Sequence, residues 1–159
     1  MTDRNRLFTI RPARAMDLPA MMEVLRSANM HYIPSPEMPE LDLHCCCVAE
    51  VKSGVAGMSG YKILSAREAK TTLMAVLPEF RGWGIGRALQ EWRMRELSRR
   101  GIQLLLTNAD RPETIAWYKR HFGYREIGSL PKEHEFGHPD IFRWTTLEVD
   151  LNRWKENNA

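Results

Sequence analysis

Hydrophobic positions change period several times along this chain, and each change marks a predicted element. Leu7 to Ile10 reads as a short first strand, after which Arg11-Pro12-Ala13 turns the chain. Leu18, Met21, Met22 and Leu25 then fall at helical spacing, with Asp17 placed to cap that helix. Between Met30 and Leu43 the pattern lapses. Pro34, Pro36 and Pro39, with His31 and Tyr32, predict irregular chain or a brief helix there. Three strands follow as a meander: His44–Val51, a Lys52-Ser53-Gly54 turn, Val55–Leu64, a turn near 65–67, and Ala69–Leu77. Pro78 ends the last of them.

Helical period returns from about Ile85 to Arg100, with Ile85, Ala88, Leu89 and Trp92 on one face. Glu91/Arg95 and Glu96/Arg100 are i,i+4 pairs on the other face, and Gly101 supplies the stop. Ile102–Thr107 is continuously apolar, as a strand buried on both faces would be. Asp110, Pro112 and Glu113 open a further helix that carries Ile115, Tyr118 and Phe122 and ends before Gly123. Tyr124–Gly128 and Ile141–Leu151 read as the last two strands, joined by 130–140. The predicted order is βα-βββ-α-β-α-ββ, a mixed sheet flanked by helices.

Composition narrows the classes. At 159 residues the chain is about one domain long. With 43% hydrophobic and 27% charged residues it suits a soluble globular protein, and no apolar run approaches the roughly eighteen residues of a membrane span. The opening MTDRNRLFTIRPA lacks a signal-peptide core, which makes a cytoplasmic location the expectation. A net charge of +3 suits a small polyanionic ligand, whereas the interleaving of basic and acidic residues argues against nucleic acid. Cys45, Cys46 and Cys47 are adjacent, which is poor geometry for a disulfide or a tetrahedral metal, so they read as small buried hydrophobes. A thiol facing a reaction site is the alternative.

The most informative stretch is Leu73–Gly86, LMAVLPEFRGWGIG. A strand stops at Pro78, a turn carries Arg81, Gly82, Gly84 and Gly86, and a helix begins. Helix entry leaves backbone N–H groups unpaired at the positive end of the macrodipole. Glycines there remove the Cβ atoms that would hold an anion away. The spacing G-x-G-x-G fits neither the dinucleotide fingerprint nor a Walker A loop.

Extended to Val76–Leu89, the pattern V-x-P-x-x-R-G-x-G-I-G-x-x-L resembles the acyl-CoA-binding motif of the GNAT superfamily of N-acetyltransferases, Arg/Gln-x-x-Gly-x-Gly/Ala. Arg81, Gly84 and Gly86 fill its three defining positions. Ile-Arg-Pro-Ala with Asp17-Leu18 resembles the usual opening of such domains, and Trp117 to Tyr124 resembles their closing signature, with Gly123 one residue later than usual. The resemblance covers essentially the whole chain. It implies an α/β (α+β) fold with a mixed, mainly antiparallel sheet of about seven strands flanked by about four helices, as a single domain over 1–159.

The resemblance also implies a reaction and a site. The reaction is acetyl transfer from acetyl-CoA to a primary amine, the amine being a small molecule on first reading. A protein N-terminus or lysine is the alternative acceptor, and a catalytically silent acyl-CoA sensor the alternative role. Backbone amides from Arg81 through Gly82, Trp83, Gly84, Ile85 and Gly86 to Arg87 would hold the pyrophosphate, with Arg81 and Arg87 side chains either adding charge or lying in solvent. Met74, Ala75 and Val76 would pair with the pantetheine arm as an added strand does. An N–H of Ala75 or Met74 would face the thioester carbonyl, and such a donor is worth roughly 2.7–4 kcal/mol of the barrier. Tyr118 matches the tyrosine that protonates the departing thiolate, or is a core aromatic. Asn108 matches an asparagine that binds pantetheine, or is a plain loop residue.

No general base is assigned. Where many members carry a strand glutamate this chain has Lys70-Thr71-Thr72-Leu73, with Glu68 only at the start. Relay of a proton by water through Thr72, or help from His31 or a residue of the last loop, is open. The loop His134–Asp140 holds two histidines and two acids, yet lacks a paired ligand pattern, so no metal is expected. His134 or Glu135 bordering the acceptor is one reading of it; solvated residues are the other. Trp83, Trp92, Trp144 and Trp154 read as packing residues. A homodimer is compatible with the resemblance, and nothing in the sequence argues for one.

Overall fold

Seven strands and four α-helices form among residues 7–28, 41–133 and 137–157, the residues described by the structure, a computed structural model. They are β1 (Thr9–Pro12), α1 (Leu18–Ser27), β2 (Cys46–Val51), β3 (Gly54–Ile63), β4 (Glu68–Val76), α2 (Ile85–Arg99), β5 (Leu104–Ala109), α3 (Pro112–Phe122), β6 (Arg125–Pro131), β7 (Arg143–Asp150) and α4 (Leu151–Asn157). The strands pair in the order β1-β2-β3-β4-β5-β7-β6. β4 and β5 run parallel, while β1–β2, β2–β3, β5–β7 and β6–β7 are antiparallel. The mixed sheet expected from the hydrophobic pattern is the one that forms.

Contacts divide the chain into two compact units. The first comprises Met1–Tyr61 and Thr72–Arg93. Its core buries Cys47, Ala49 and Val51 of β2 and Ala56 of β3 against Ile85 and Leu89 of α2. Burying each of the larger side chains, Val51, Ile85 and Leu89, stabilises the fold by about 1.5–3 kcal/mol. Gly57 sets how closely α2 lies on the sheet. A Cβ there would stand 3.1 Å from the Ala75 carbonyl oxygen and 3.2 Å from both Ile85 and Leu89 side chains.

Two expectations change in this unit. Asp17 stands at the N-cap position of α1, but its carboxylate makes no cap bond to that helix. It accepts instead from Arg11 at 2.8 and 2.9 Å and from the Arg14 N–H at 2.8 Å, because a charged fork outcompetes a backbone amide. The buried stripe of α2 is also rotated from the expected one. Within this unit it runs through Ile85, Leu89, Gln90 and Arg93, and Trp92 is only half-buried. The segment around His31, Tyr32, Pro34, Pro36 and Pro39 lies outside the described residues.

The second unit comprises Lys62–Thr71 and Met94–Ala159. Within it the start of β4 pairs with β5 through Glu68–Leu104, Ala69–Leu105 and Lys70–Leu106. β5 begins two residues later than its apolar run suggests. Gln103 and Leu104 N–H groups both donate to the Arg67 carbonyl, and Leu151 N–H takes the Gln103 carbonyl. Gly123, in the left-handed region at φ 72°, closes α3 by donating to the Lys119 carbonyl. Asp110 does not cap α3, whose N-cap is Arg111. β7 stops at Asp150, where the sequence reading carried a strand on to Leu151. Asp150 Oδ1 accepts from the N–H groups of Asn152 and Arg153 and so starts α4, which buries Leu151 and Trp154.

Candidate active site

In the first unit, β4 gives way at Leu77 to a 3-10 turn over Pro78–Phe80. Leu77 N–H donates to the Ala56 carbonyl of β3 at 2.8 Å, and the Ala75 carbonyl lies against Gly57. Main-chain groups alternate along a strand, so the N–H groups of Val76 and Met74 point away from β3. Of the two candidate donors to a thioester carbonyl, Met74 is therefore the one oriented off that ladder.

The chain then enters α2 through two glycines in the left-handed region, Gly82 at φ 86° and Gly84 at φ 84°. A side chain is disfavoured at both. Arg81 and Trp83 N–H groups are taken by the carbonyls of Pro78 and Phe80. The next donor with a main-chain acceptor is Ala88, on the Gly84 carbonyl at 3.1 Å. Among the described residues, nothing accepts from the N–H groups of Gly82, Gly84, Ile85, Gly86 or Arg87. The space above them is open, because a Cβ added at Gly82, Gly84 or Gly86 would meet no atom within 4 Å. Exposed donors at the positive end of a 15-residue helix, with no side chain in front of them, fit a diphosphate. The expected set from Arg81 to Arg87 thus narrows, since Arg81 and Trp83 spend their amides inside the turn.

The side chains around this turn divide into charge and packing. Arg81 and Arg87 are exposed, and Arg87 meets Glu91 at 3.4 Å. Trp83 packs edge-on against Phe80 at 4.9 Å, which supports the packing reading. Two buried polar residues were not anticipated. Arg93, 1% exposed, donates to the carbonyls of Gly60 at 3.0 Å and Leu73 at 3.2 Å and to Gln90 Oε1 at 3.0 Å.

In the second unit, Tyr118 lies on the buried face of α3, packed edge-on against Trp117 and Tyr124 with centroids 5.1 Å away in each case. Asn108 is not a loop residue. It sits inside β5 opposite Thr146 of β7, whose hydroxyl donates to Asn108 Oδ1 at 2.7 Å. The residue as a whole is exposed.

Asp110 follows at the end of β5 and is the hub of a half-buried network. Its carboxylate accepts from His138 N–H at 2.7 Å, Arg111 N–H at 2.8 Å and Lys132 Nζ at 2.9 Å. Lys132 Nζ also stands 4.4 Å over the Trp144 ring. Burial alone would raise the Asp110 pKa. The His138 amide, Lys132 and the Arg111 amide outweigh it, and the carboxyl is held below its ordinary value. Since the unfolded value is about 3.9 and the folded one lower, the stabilisation is complete at neutral pH and is lost as pH falls below that region. Asp110→Asn is expected to cost about 2 kcal/mol and to flatten the acid limb of the melting temperature plotted against pH. A variant with an unchanged acid limb would contradict it. His134 and Glu135 lie outside the described residues.

Burial pushes the Cys46 and Cys47 thiols up to about 12 and about 11, and Cys47 Sγ meets Ser59 Oγ at 3.1 Å. Both are buried packing residues, as their context suggested, whereas Cys45, in the 3-10 turn before β2, is only half-buried. Among the described residues, no group of three or more His, Cys, Asp or Glu could hold a metal ion, and no helix is long and apolar enough to cross a membrane.

Residues 42–126 match the family described as an acetyltransferase (GNAT) domain. No curated protein matches the chain in sequence. Among solved structures, Ard1 from Thermoplasma volcanium is similar with a TM-score of 0.75 at 21% identity, over 91% of this chain and 97% of that one. The ribosomal-protein-S18-alanine N-acetyltransferase from Escherichia coli is similar with a TM-score of 0.72 at 21% identity, over 91% and 94%. N-acetylglutamate synthase from Neisseria gonorrhoeae, complexed with coenzyme A and N-acetyl-glutamate, gives 0.69 at 19% identity, over 91% of this chain and 35% of that one. At these identities the likeness to solved structures is one of fold.

Proposed function

The chain belongs to the GNAT acetyltransferase family, and from that premise we propose that it transfers an acetyl group from acetyl-CoA to a primary amine of a small molecule. The observation that carries the reading is the set of unclaimed N–H donors at Gly82, Gly84, Ile85, Gly86 and Arg87, open to a diphosphate. The reading takes residues 1–159 as one catalytic domain.

Transfer is direct, in a ternary complex. The amine nitrogen attacks the thioester carbon, a C–N bond forms, and the carbonyl oxygen gathers negative charge in front of the Met74 N–H. As the C–S bond breaks, the thiolate takes a proton from the Tyr118 hydroxyl, which is the general acid. The nitrogen gives up a proton to water as the amide forms, and water returns one to the Tyr118 oxygen, so amine and thioester become amide and thiol. Asn108 offers its NH2 group to the pantetheine arm. The Met74–Val76 main chain pairs with the same arm.

A protein N-terminus or lysine is the second acceptor class, since proteins of similar fold include one named for a ribosomal-protein alanine. Calorimetric titration with coenzyme A, followed by an acceptor panel of small amines and short peptides assayed by free-thiol release, tests both parts. Saturable binding with turnover on small amines is the expected result. No coenzyme binding would sink the family-based reaction, and turnover on peptides alone would overturn the small acceptor.

A further inference from the structure

Arg93 is a costly residue to bury, because a guanidinium taken out of water must have its donors met by well-placed acceptors. Here it lies 1% exposed on α2 beside Gln90, which is itself buried. Its Nη1 reaches two carbonyls on neighbouring strands, Gly60 of β3 at 3.0 Å and Leu73 of β4 at 3.2 Å. Its Nη2 lies 3.6 Å from Met74 Sδ. Gln90 holds the fork from the next turn through Oε1, 3.0 Å from Nε and also in contact with Nη2.

Gly60 and Leu73 lie on adjacent strands, so one donor shared between their carbonyls ties β3 to β4 where β4 passes from Leu73 to Met74. An apolar side chain in its place would remove that tie. Met74 carries the N–H that points away from β3, and Leu73 is the residue whose carbonyl shares its peptide plane. Rotation of that peptide would re-aim the donor.

We propose that Arg93 is a positioning residue for acetyl transfer: by clamping the Leu73 carbonyl, it aims the Met74 N–H at the thioester oxygen. The inference rests on the acetyl-transfer reading. It assigns Arg93 an effect on the chemical step and little on coenzyme affinity, because the bonds that carry it run to Gly60, Leu73 and Gln90, which lie outside the Gly82–Arg87 turn.

The test compares the wild type with Arg93→Lys and Gln90→Met in kcat, coenzyme A Kd, melting temperature and the Met74 amide resonance of 15N-methionine-labelled protein. Arg93→Lys keeps the charge and loses the fork. Expected are a kcat about tenfold or more lower, a Kd within about threefold of wild type, and a displaced Met74 resonance. Gln90→Met, which leaves Arg93 in place with a weaker hold, is expected to lower kcat about threefold in the same direction. The proposal is overturned by a folded Arg93→Lys with wild-type kcat, or by kcat and Kd worsening in step with melting temperature. If Arg93→Lys does not fold, Gln90→Met decides by the same criteria. A wild type that bound no coenzyme would sink the acetyl-transfer reading separately. The Met74 resonance would then still decide on Arg93, an unmoved signal counting against it and a displaced one supporting it.

Discussion

Gly86→Glu is expected to fold as well as the parent, or slightly better, and to lose nearly all affinity for the coenzyme. Gly86 lies in the first turn of α2 with ordinary helical geometry, and an added Cβ meets nothing within 4 Å. Replacing a helical glycine removes a penalty of about 0.5–1 kcal/mol. An acid in the first turn adds a favourable 0.3–1 kcal/mol or so with the macrodipole. Stability and binding should therefore move in opposite directions. The new carboxylate would occupy the open side of the Gly82–Arg87 amides and repel a diphosphate, lowering affinity by about 100-fold. Gly86→Ala, which adds only a methyl group, is expected to lose about tenfold. Thermal melts with calorimetric titration measure both quantities. Undiminished coenzyme affinity in Gly86→Glu would place the anion site elsewhere.

Tyr118→Phe carries the second large effect. The ring is packed between Trp117 and Tyr124, so phenylalanine keeps the edge-on contacts and loses only the hydroxyl. Stability should fall by no more than about 1 kcal/mol. If the hydroxyl protonates the departing thiolate, turnover drops by about 10²–10⁴ with coenzyme affinity unchanged. Steady-state kinetics beside a titration of the same preparation separates the two. Unchanged turnover would leave Tyr118 as a core aromatic.

Elements with a sharp local grammar were legible in the sequence. β2 and β3 sit where Lys52-Ser53-Gly54 punctuates two apolar runs, and α2 starts at Ile85 as the Arg81–Gly86 pattern requires. The turn needed no tertiary information, because its chemistry belongs to main-chain amides at a helix entry. Other features were hidden for physical reasons. β6 is exposed along its whole length and shows no alternation, so the sequence predicts a strand only as far as Gly128, where the register with β7 shifts. α4 was masked because the apolar run of β7 continues through Leu151, although Asp150 followed by Leu151 and Trp154 was an available helix-start signal. Asp110 passed for a helix start. Its real partners, Lys132 and His138, are 22 and 28 residues away, beyond any local pattern. Arg93 is the plainest case, since an arginine on an amphipathic helix normally lies in solvent. Its acceptors, the Gly60 and Leu73 carbonyls, are 33 and 20 residues away and hold this one inside.

The run of three cysteines has a practical consequence. Thiol reagents attack the thiolate, and at neutral pH Cys46 and Cys47 hold almost none while folded, with thiols pushed up to about 12 and about 11. Both side chains are also sealed within β2. Alkylation at either position can proceed only as fast as that strand detaches. Mass-resolved labelling of these two sites would thus serve as a built-in clock for local opening of the sheet.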